Sequence, residues 1–265
     1  MKKLIFLKLG GSLITDKTRA YTPRLEVIKD SIAEIKQALD SDPSLSLVLG
    51  HGSGSFGHVA ADQYQTHQGV SGKAGWIGFT QVWYQAAALN RLVIDELHRA
   101  GIPALGLSPV AAVTAQDGLV RSWDLGPVRA ALMNGLLPVI HGDVIFDSAR
   151  GGTILSTEDL FSYLARDLKP HKILLAGLEA GVWSDFPERK QLLNELTPDQ
   201  YAGQSEHLKN AAGTDVTGGM RRKVSQMLAL VKEIPDLQVI IFSGAQRDNI
   251  AHALLGDTPG TFLHR

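Results

Sequence analysis

Leu4-Ile5-Phe6-Leu7-Lys8-Leu9-Gly10-Gly11-Ser12 is the stretch on which the fold turns. Leu4–Leu9 is short, apolar apart from Lys8, and closed by two glycines, which reads as a buried strand. A lysine at the end of such a strand, followed by Gly-Gly-Ser, sets an ammonium beside backbone that an anion can approach closely. Alone, the segment also fits a tight turn with Lys8 escaping to solvent. Outward from it, short apolar runs recur at Leu45–Leu49, Ala104–Leu107, Leu137–Ile140, Lys172–Ala176 and Gln238–Phe242. Between them lie amphipathic stretches at Arg24–Leu39, Trp76–Ala100, Leu160–Leu168, Met220–Val231 and Asn249–Leu255. In Arg24–Leu39, Leu25, Ile28, Ile32, Ile35 and Leu39 repeat at helical spacing. Strand–helix alternation predicts an α/β fold with a mainly parallel sheet covered on both faces. Asp117-Gly118 and Arg150-Gly151-Gly152 add two β-hairpins. Glu179–Asp215 reads as irregular and polar.

The 265 residues are 44% hydrophobic and 20% charged, a globular composition with one domain expected over 1–265. A net charge of −1 gives no global pull toward nucleic acid or a membrane surface, so a phosphate site must be local. The absence of cysteine excludes disulfide scaffolds, thiolate metal sites and cysteine nucleophiles. The basic start at Met1-Lys2-Lys3 precedes too short an apolar run for a signal segment, and no stretch approaches a membrane span. A cytoplasmic protein is expected.

Three further segments carry chemistry. His51-Gly52-Ser53-Gly54-Ser55-Phe56-Gly57-His58 follows the second strand and holds a formal G-x-G-x-x-G. No acid follows about 20 residues on, as a dinucleotide fold requires. His58 and Val59 stand where a Walker A loop needs Lys and Ser/Thr. What remains is a row of accessible N–H groups ending in a histidine, a phosphate nest or else a flexible linker. In Ser156-Thr157-Glu158-Asp159, Ser156 or Thr157 can cap the next helix and the acids suit its dipole. In Thr217-Gly218-Gly219-Met220-Arg221-Arg222-Lys223 a glycine turn opens a helix with cations in its first turn, which calls for an anion or carboxylate nearby. Phosphoryl transfer needs spread cations, N–H cradles and an organising carboxylate, and Lys8, Lys223, His58 and Asp159 supply that set.

Taken in order, these motifs resemble the amino acid kinase superfamily over nearly the whole chain. Asp16-Lys17, Gly54-Ser55-Phe56-Gly57-His58 and Gly78-Phe79…Leu89-Asn90 resemble its isopentenyl phosphate kinase branch. The resemblance implies an open αβα sandwich, a homodimer, and transfer of the ATP γ-phosphoryl group to isopentenyl phosphate. It implies an acceptor-binding part over about 1–170 and a nucleotide-binding part over about 171–265. Lys8, Gly10, Gly11 and Ser12 would meet the ATP phosphates, with Lys17 and His58 near the transferred group. Gly52, Gly57 and His58 would hold the acceptor phosphate, with Ser53 between the substrates. Asp159 would orient Lys8 and Lys223, and Gly219, Lys223 and Trp183 would hold nucleotide. Two departures stand out. Thr157 replaces a glycine and would crowd an N–H contact to the acceptor, and the loop Gly177–Trp183 lacks the usual aspartates. A fosfomycin kinase or amino-acid kinase of the same fold is the near alternative, and a non-catalytic nucleotide-binding regulator the distant one. Mg²⁺ is expected to arrive with ATP, and the other histidines show no metal-ligand spacing. Trp76, Phe79, Val82, Trp83 and Ala86 form a helical stripe that is either core or the wall of an apolar acceptor pocket.

Overall fold

The computed structural model describes residues 3–203 and 219–265. From β1 (Lys3–Leu9) the chain runs through α1 (Gly11–Ile14) and α2 (Leu25–Ser41) to β2 (Leu45–His51). It continues through α3 (Gly54–Tyr64), α4 (Gly72–Arg99), β3 (Ala104–Gly106) and α5 (Pro109–Ala112) to the ribbon of β4 (Val113–Gln116) and β5 (Leu119–Trp123). Then follow α6 (Gly126–Met133), β6 (Leu137–His141), and a second ribbon of β7 (Asp143–Asp147) and β8 (Gly151–Leu155). Next come α7 (Thr157–Leu168), β9 (Lys172–Gly177), β10 (Glu195–Leu196) and α8 (Pro198–Gly203). The chain closes with α9 (Gly219–Glu233), β11 (Gln238–Ser243), α10 (Asn249–Leu255) and β12 (Gly260–Leu263).

Among the described residues, the larger sheet has the order β10-β12-β11-β9-β1-β2-β6-β3. It is parallel from β11 to β3, and β12 runs antiparallel to β11. A four-stranded sheet, β5-β4-β7-β8, carries both expected hairpins. Asp117 and Gly118 turn the first with φ of 52° and 77°, the paired left-handed geometry that fits the twist of a two-residue hairpin. From β1 the chain first builds outward to β2, β6 and β3, then returns to β9 on the other side. That reversal opens a crevice at the carboxyl ends of the strands.

Alternation along β1 decides what its side chains meet. Ile5, Leu7 and Leu9 pack with Ile28, Ile32 and Ile35 of α2 and with Leu89 and Val93 of α4. Phe6 points the other way, onto Phe161 of α7, with ring centroids 5.0 Å apart. Lys8 shares the face of Phe6, so the strand period aims its ammonium at the start of α7.

The glycine run after β2, expected as a loop through His58, is helical from Gly54. The long helix starts at Gly72, about one turn before the expected Trp76. Within the expected irregular stretch, Trp183 bridges Leu192, and β10 and α8 form. Its remainder from 204 onward lies outside the described residues.

Candidate active site

The loops after β1 and β2 meet backbone to backbone. A Cβ on Gly11 would stand 2.5 Å from the Gly54 nitrogen, and one on Gly52 would stand 2.8 Å from the Gly11 nitrogen. Gly54 has φ +50°, and a side chain there would collide with Thr15. Thr15 locks the junction, because its hydroxyl donates to the Gly11 carbonyl at 2.7 Å and accepts from the Ser55 N–H at 2.9 Å. Glycine is therefore required here by close approach as well as by φ.

The crevice above these loops is a cleft of about 560 Å³. Lys8, Gly10, Gly11, Ser12, Lys17, Gly52, Ser53, His58, Thr157, Trp183, Gly219 and Lys223 all line it. The starts of α1, α3 and α7 and the first turn of α9 open onto it. Helix starts present uncommitted N–H groups and a partial positive charge, and here they join several cations. A chain of net charge −1 thus concentrates positive potential in one place. Thr217 and Gly218, expected in the nucleotide turn, lie outside the described residues.

The carboxylate that meets Lys8 is Glu158, not Asp159: Glu158 and Lys8 form a buried ion pair. Burial pushes the Glu158 carboxyl up, but the ammoniums of Lys8 and Lys223 outweigh it and hold it down at about 2. Asp159 closes a capping box instead. Its carboxylate accepts the Ser156 N–H at 2.9 Å, and its own N–H donates to the Ser156 hydroxyl at 3.1 Å. It also receives Arg222 at 3.1 Å and Gln226 at 3.1 Å from α9. The signal for this was present in the sequence, since Ser156-x-x-Asp159 has the spacing of a capping box. Once Asp159 turns back to the cap, the neighbouring acid is left to face β1.

Thr157 does not offer its hydroxyl to the cleft. It donates to the His51 carbonyl at 2.6 Å, while its methyl lies over Gly50, where a Cβ would stand 2.5 Å away. Gly57 does not line the cleft; it sits in α3 against Ser53. Phe79 and Val82 lie behind the cleft, in a small apolar cluster with Ala60, Val70 and Val144, and Ala86 is fully buried. Ile154 touches that cluster and also lines the cleft. At the other end, Trp183 donates its indole N–H to Glu179 at 3.0 Å. Arg189 pairs with the same carboxylate and lies 4.7 Å above the Phe186 ring. Leu178, Val182, Met220 and Ile241 make this end apolar.

The amino acid kinase family model matches residues 3–243. The chain belongs to the amino acid kinase family. The isopentenyl phosphate kinase of Methanocaldococcus jannaschii is 33% identical to it, with 97% of each chain covered. That of Methanothermobacter thermautotrophicus is 32% identical, with 96% of each covered. An isopentenyl phosphate kinase crystal structure superposes with a TM-score of 0.82 at 28% identity, covering 98% of this chain and 99% of that one. Within the family, then, its similarity lies with the isopentenyl phosphate kinase branch, and the mainly parallel sheet with hairpin additions is the architecture expected for it.

Proposed function

We propose that this chain transfers the γ-phosphoryl group of ATP to isopentenyl phosphate, forming isopentenyl diphosphate and ADP. A phosphate oxygen of the acceptor attacks the γ-phosphorus. The bond from that phosphorus to the β–γ bridging oxygen breaks, and ADP leaves with the electron pair. The observation that supports this most directly is the cleft, where helix starts, lysines and His58 face one crevice with apolar groups at both ends.

The 1–170 part holds the acceptor and the 171–265 part the nucleotide, with Lys8 and Gly10–Ser12 shared between them. The Ser53 N–H and the His58 imidazole bind the acceptor phosphate, while the Gly52 N–H is held by the Leu9 carbonyl at 3.0 Å and only its bare Cα lets the phosphate approach. Lys17 and Lys8 face the transferred group, and Gly219 and Lys223 the nucleotide phosphates. Trp183 and Phe186 flank the base. These groups stabilise charge as it spreads over the phosphoryl oxygens, and they are fixed in place before reaction. Glu158 keeps Lys8 and Lys223 close despite their repulsion. Mg²⁺ fits as the companion of the ATP phosphates. Among the described residues, the carboxylates lining the cleft, Glu158 and Glu179, are each paired with a cation, so their contribution there is to hold positive charge in place. A homodimer belongs to the same proposal. α4 exposes Trp83 and Tyr84, and the edge strand β3 exposes Leu105, apolar surface that a second copy would cover.

ADP release is measured with isopentenyl phosphate, fosfomycin, glutamate and no acceptor. Release with isopentenyl phosphate alone is expected. Preferred release with fosfomycin or glutamate would move the chain to a different acceptor class, and no acceptor-dependent release would leave a nucleotide-binding protein.

A further inference from the structure

Directly beneath the acceptor loop lies a buried polar group of residues that the proposed chemistry does not use. His51 ends β2, His141 ends β6, and the two are register partners. Their rings stack with centroids 5.4 Å apart and planes 8° from parallel. Asp143 begins β7, so His141-Gly142-Asp143 is the step by which the chain leaves the larger sheet for the smaller one. Gly142 lines the cleft, and its N–H donates to the His51 carbonyl at 3.2 Å. That same carbonyl takes the Thr157 hydroxyl, so it joins the acceptor loop, the hinge and the start of α7.

His51 is provided for, with Asn90 of α4 at 3.0 Å from Nε2 and the Gly52 carbonyl at 3.2 Å from Nδ1. His141 is not. Neither of its ring nitrogens has a hydrogen-bond partner, and neither does Asp143 Oδ2, although both side chains are almost wholly buried. The two unsatisfied groups face each other, with His141 Nε2 3.6 Å from Asp143 Oδ2. The other carboxyl oxygen accepts the Val144 N–H at 2.8 Å, and the Val110 N–H of α5 also bonds the carboxyl. Buried polar atoms without partners are rare enough to require a cause. A small approach of these two, with one proton between them, would satisfy His141 Nε2 and Asp143 Oδ2.

We propose that His141 and Asp143 are positioning residues that share one proton, and that this bond sets the hinge at Gly142 and, through the His51 carbonyl, the acceptor loop. Burial fits the arrangement. It raises the Asp143 carboxyl to about 7, and burial with His51 alongside lowers His141 to about 3, so below about pH 7 the shared proton belongs to the carboxyl. The groups facing the pair are His51 from β2 with Lys8 of β1 beyond it, Asn90 from α4, and the N–H groups of Val110 and Val144. As pH rises past 7, the carboxyl loses its proton, the contact must be remade with His141 donating from Nε2, and the hinge is reset.

This inference rests on the kinase reading for its activity arm, so one arm needs no substrate. ¹⁵N-histidine NMR of the resting protein from pH 6 to 9 is expected to show the His141 ring nitrogens shifting with a midpoint near 7. That shift should vanish in Asp143→Asn, whose amide donates at every pH. His141 signals that stay constant in the wild type would overturn the shared proton. In the activity arm, Asp143→Ala should raise the acceptor KM about 10-fold or more and leave the ATP KM within about twofold. Asp143→Asn should restore most of that loss and flatten the alkaline fall of kcat/KM. Equal changes in both KM values, or an Asp143→Asn profile that overlays the wild type, would reduce the pair to packing. A wild type without isopentenyl phosphate turnover would count against the kinase reading while the NMR arm still decides the inference.

Discussion

Glu158 carries its charge into a place where burial opposes it, and two lysines keep it there. Removing that charge leaves Lys8 without its partner beside Lys223. Glu158→Gln is therefore expected to lower kcat by about 10²-fold or more, on the scale of losing one fixed electrostatic group. Asp159→Asn weakens the cap and the Arg222 contact instead, so it should lower thermal stability by about 1 kcal/mol with a smaller effect on turnover. Measuring kcat and Tm for both variants separates the two acids, and the reverse pattern would restore Asp159 as the organiser. The pH dependence has a definite sign. A carboxyl depressed in the folded state contributes fully above its ordinary value of 4.5 and loses that contribution as pH falls toward about 2. Acid unfolding of the wild type should therefore contain a component in that window which Glu158→Gln lacks. At His58, substitution by alanine should cost about 10²–10³-fold in kcat while Tm stays near the wild-type value. Wild-type turnover in that variant would take His58 out of the phosphate site.

At the scale of elements, α7 carries Thr157 and Glu158 to the cleft only because Gly50 lets it approach β2. A Cβ on Gly50 would stand 2.5 Å from Thr157 Cγ2 and 2.6 Å from Phe161 Cζ. Gly50→Ala is expected to destabilise the fold by about 1–3 kcal/mol and to lower activity as well, because α7 must shift. Denaturation midpoints with kcat/KM read both effects, and an unaltered midpoint would contradict the close packing. In the smaller sheet, Asp147 accepts N–H bonds from Asp117, Gly118, Ala149 and Arg150, tying the two hairpin turns together. Asp147→Ala should cost roughly 2–3 kcal/mol in chemical denaturation. An effect near zero would mean the turns hold themselves. The helical stripe on α4 also resolves at this scale. Phe79 lies tilted against Phe146 with centroids 5.0 Å apart and edge-on to Trp76 at 5.4 Å, packing behind Ile154 instead of lining the cleft.

The whole molecule shows which parts of this arrangement a sequence can carry. The parallel sheet was legible because each buried strand is a short apolar run, and Lys8 was conspicuous as the one charge inside such a run. The hairpins were legible from Asp117-Gly118 and Arg150-Gly151-Gly152, whose backbone demands are local. The helical start at Gly54 was not, because Gly52, Gly54 and Gly57 also suit an open loop; contact with Thr15 and Gly11 decides it. The choice between Glu158 and Asp159 depended on which acid closes the cap. The buried His51, His141 and Asp143 left no local mark, since register between β2 and β6 brings them together from distant positions. Net charge concealed the local positive cleft for a similar reason, as helix starts contribute nothing to a count of charged residues.

The most direct measurement is ³¹P NMR of the protein with ATP, Mg²⁺ and isopentenyl phosphate. The expected result is loss of the monophosphate ester resonance and growth of two mutually coupled diphosphate ester resonances, in step with ADP. ADP formed while the monophosphate ester resonance stays unchanged would contradict transfer to this acceptor.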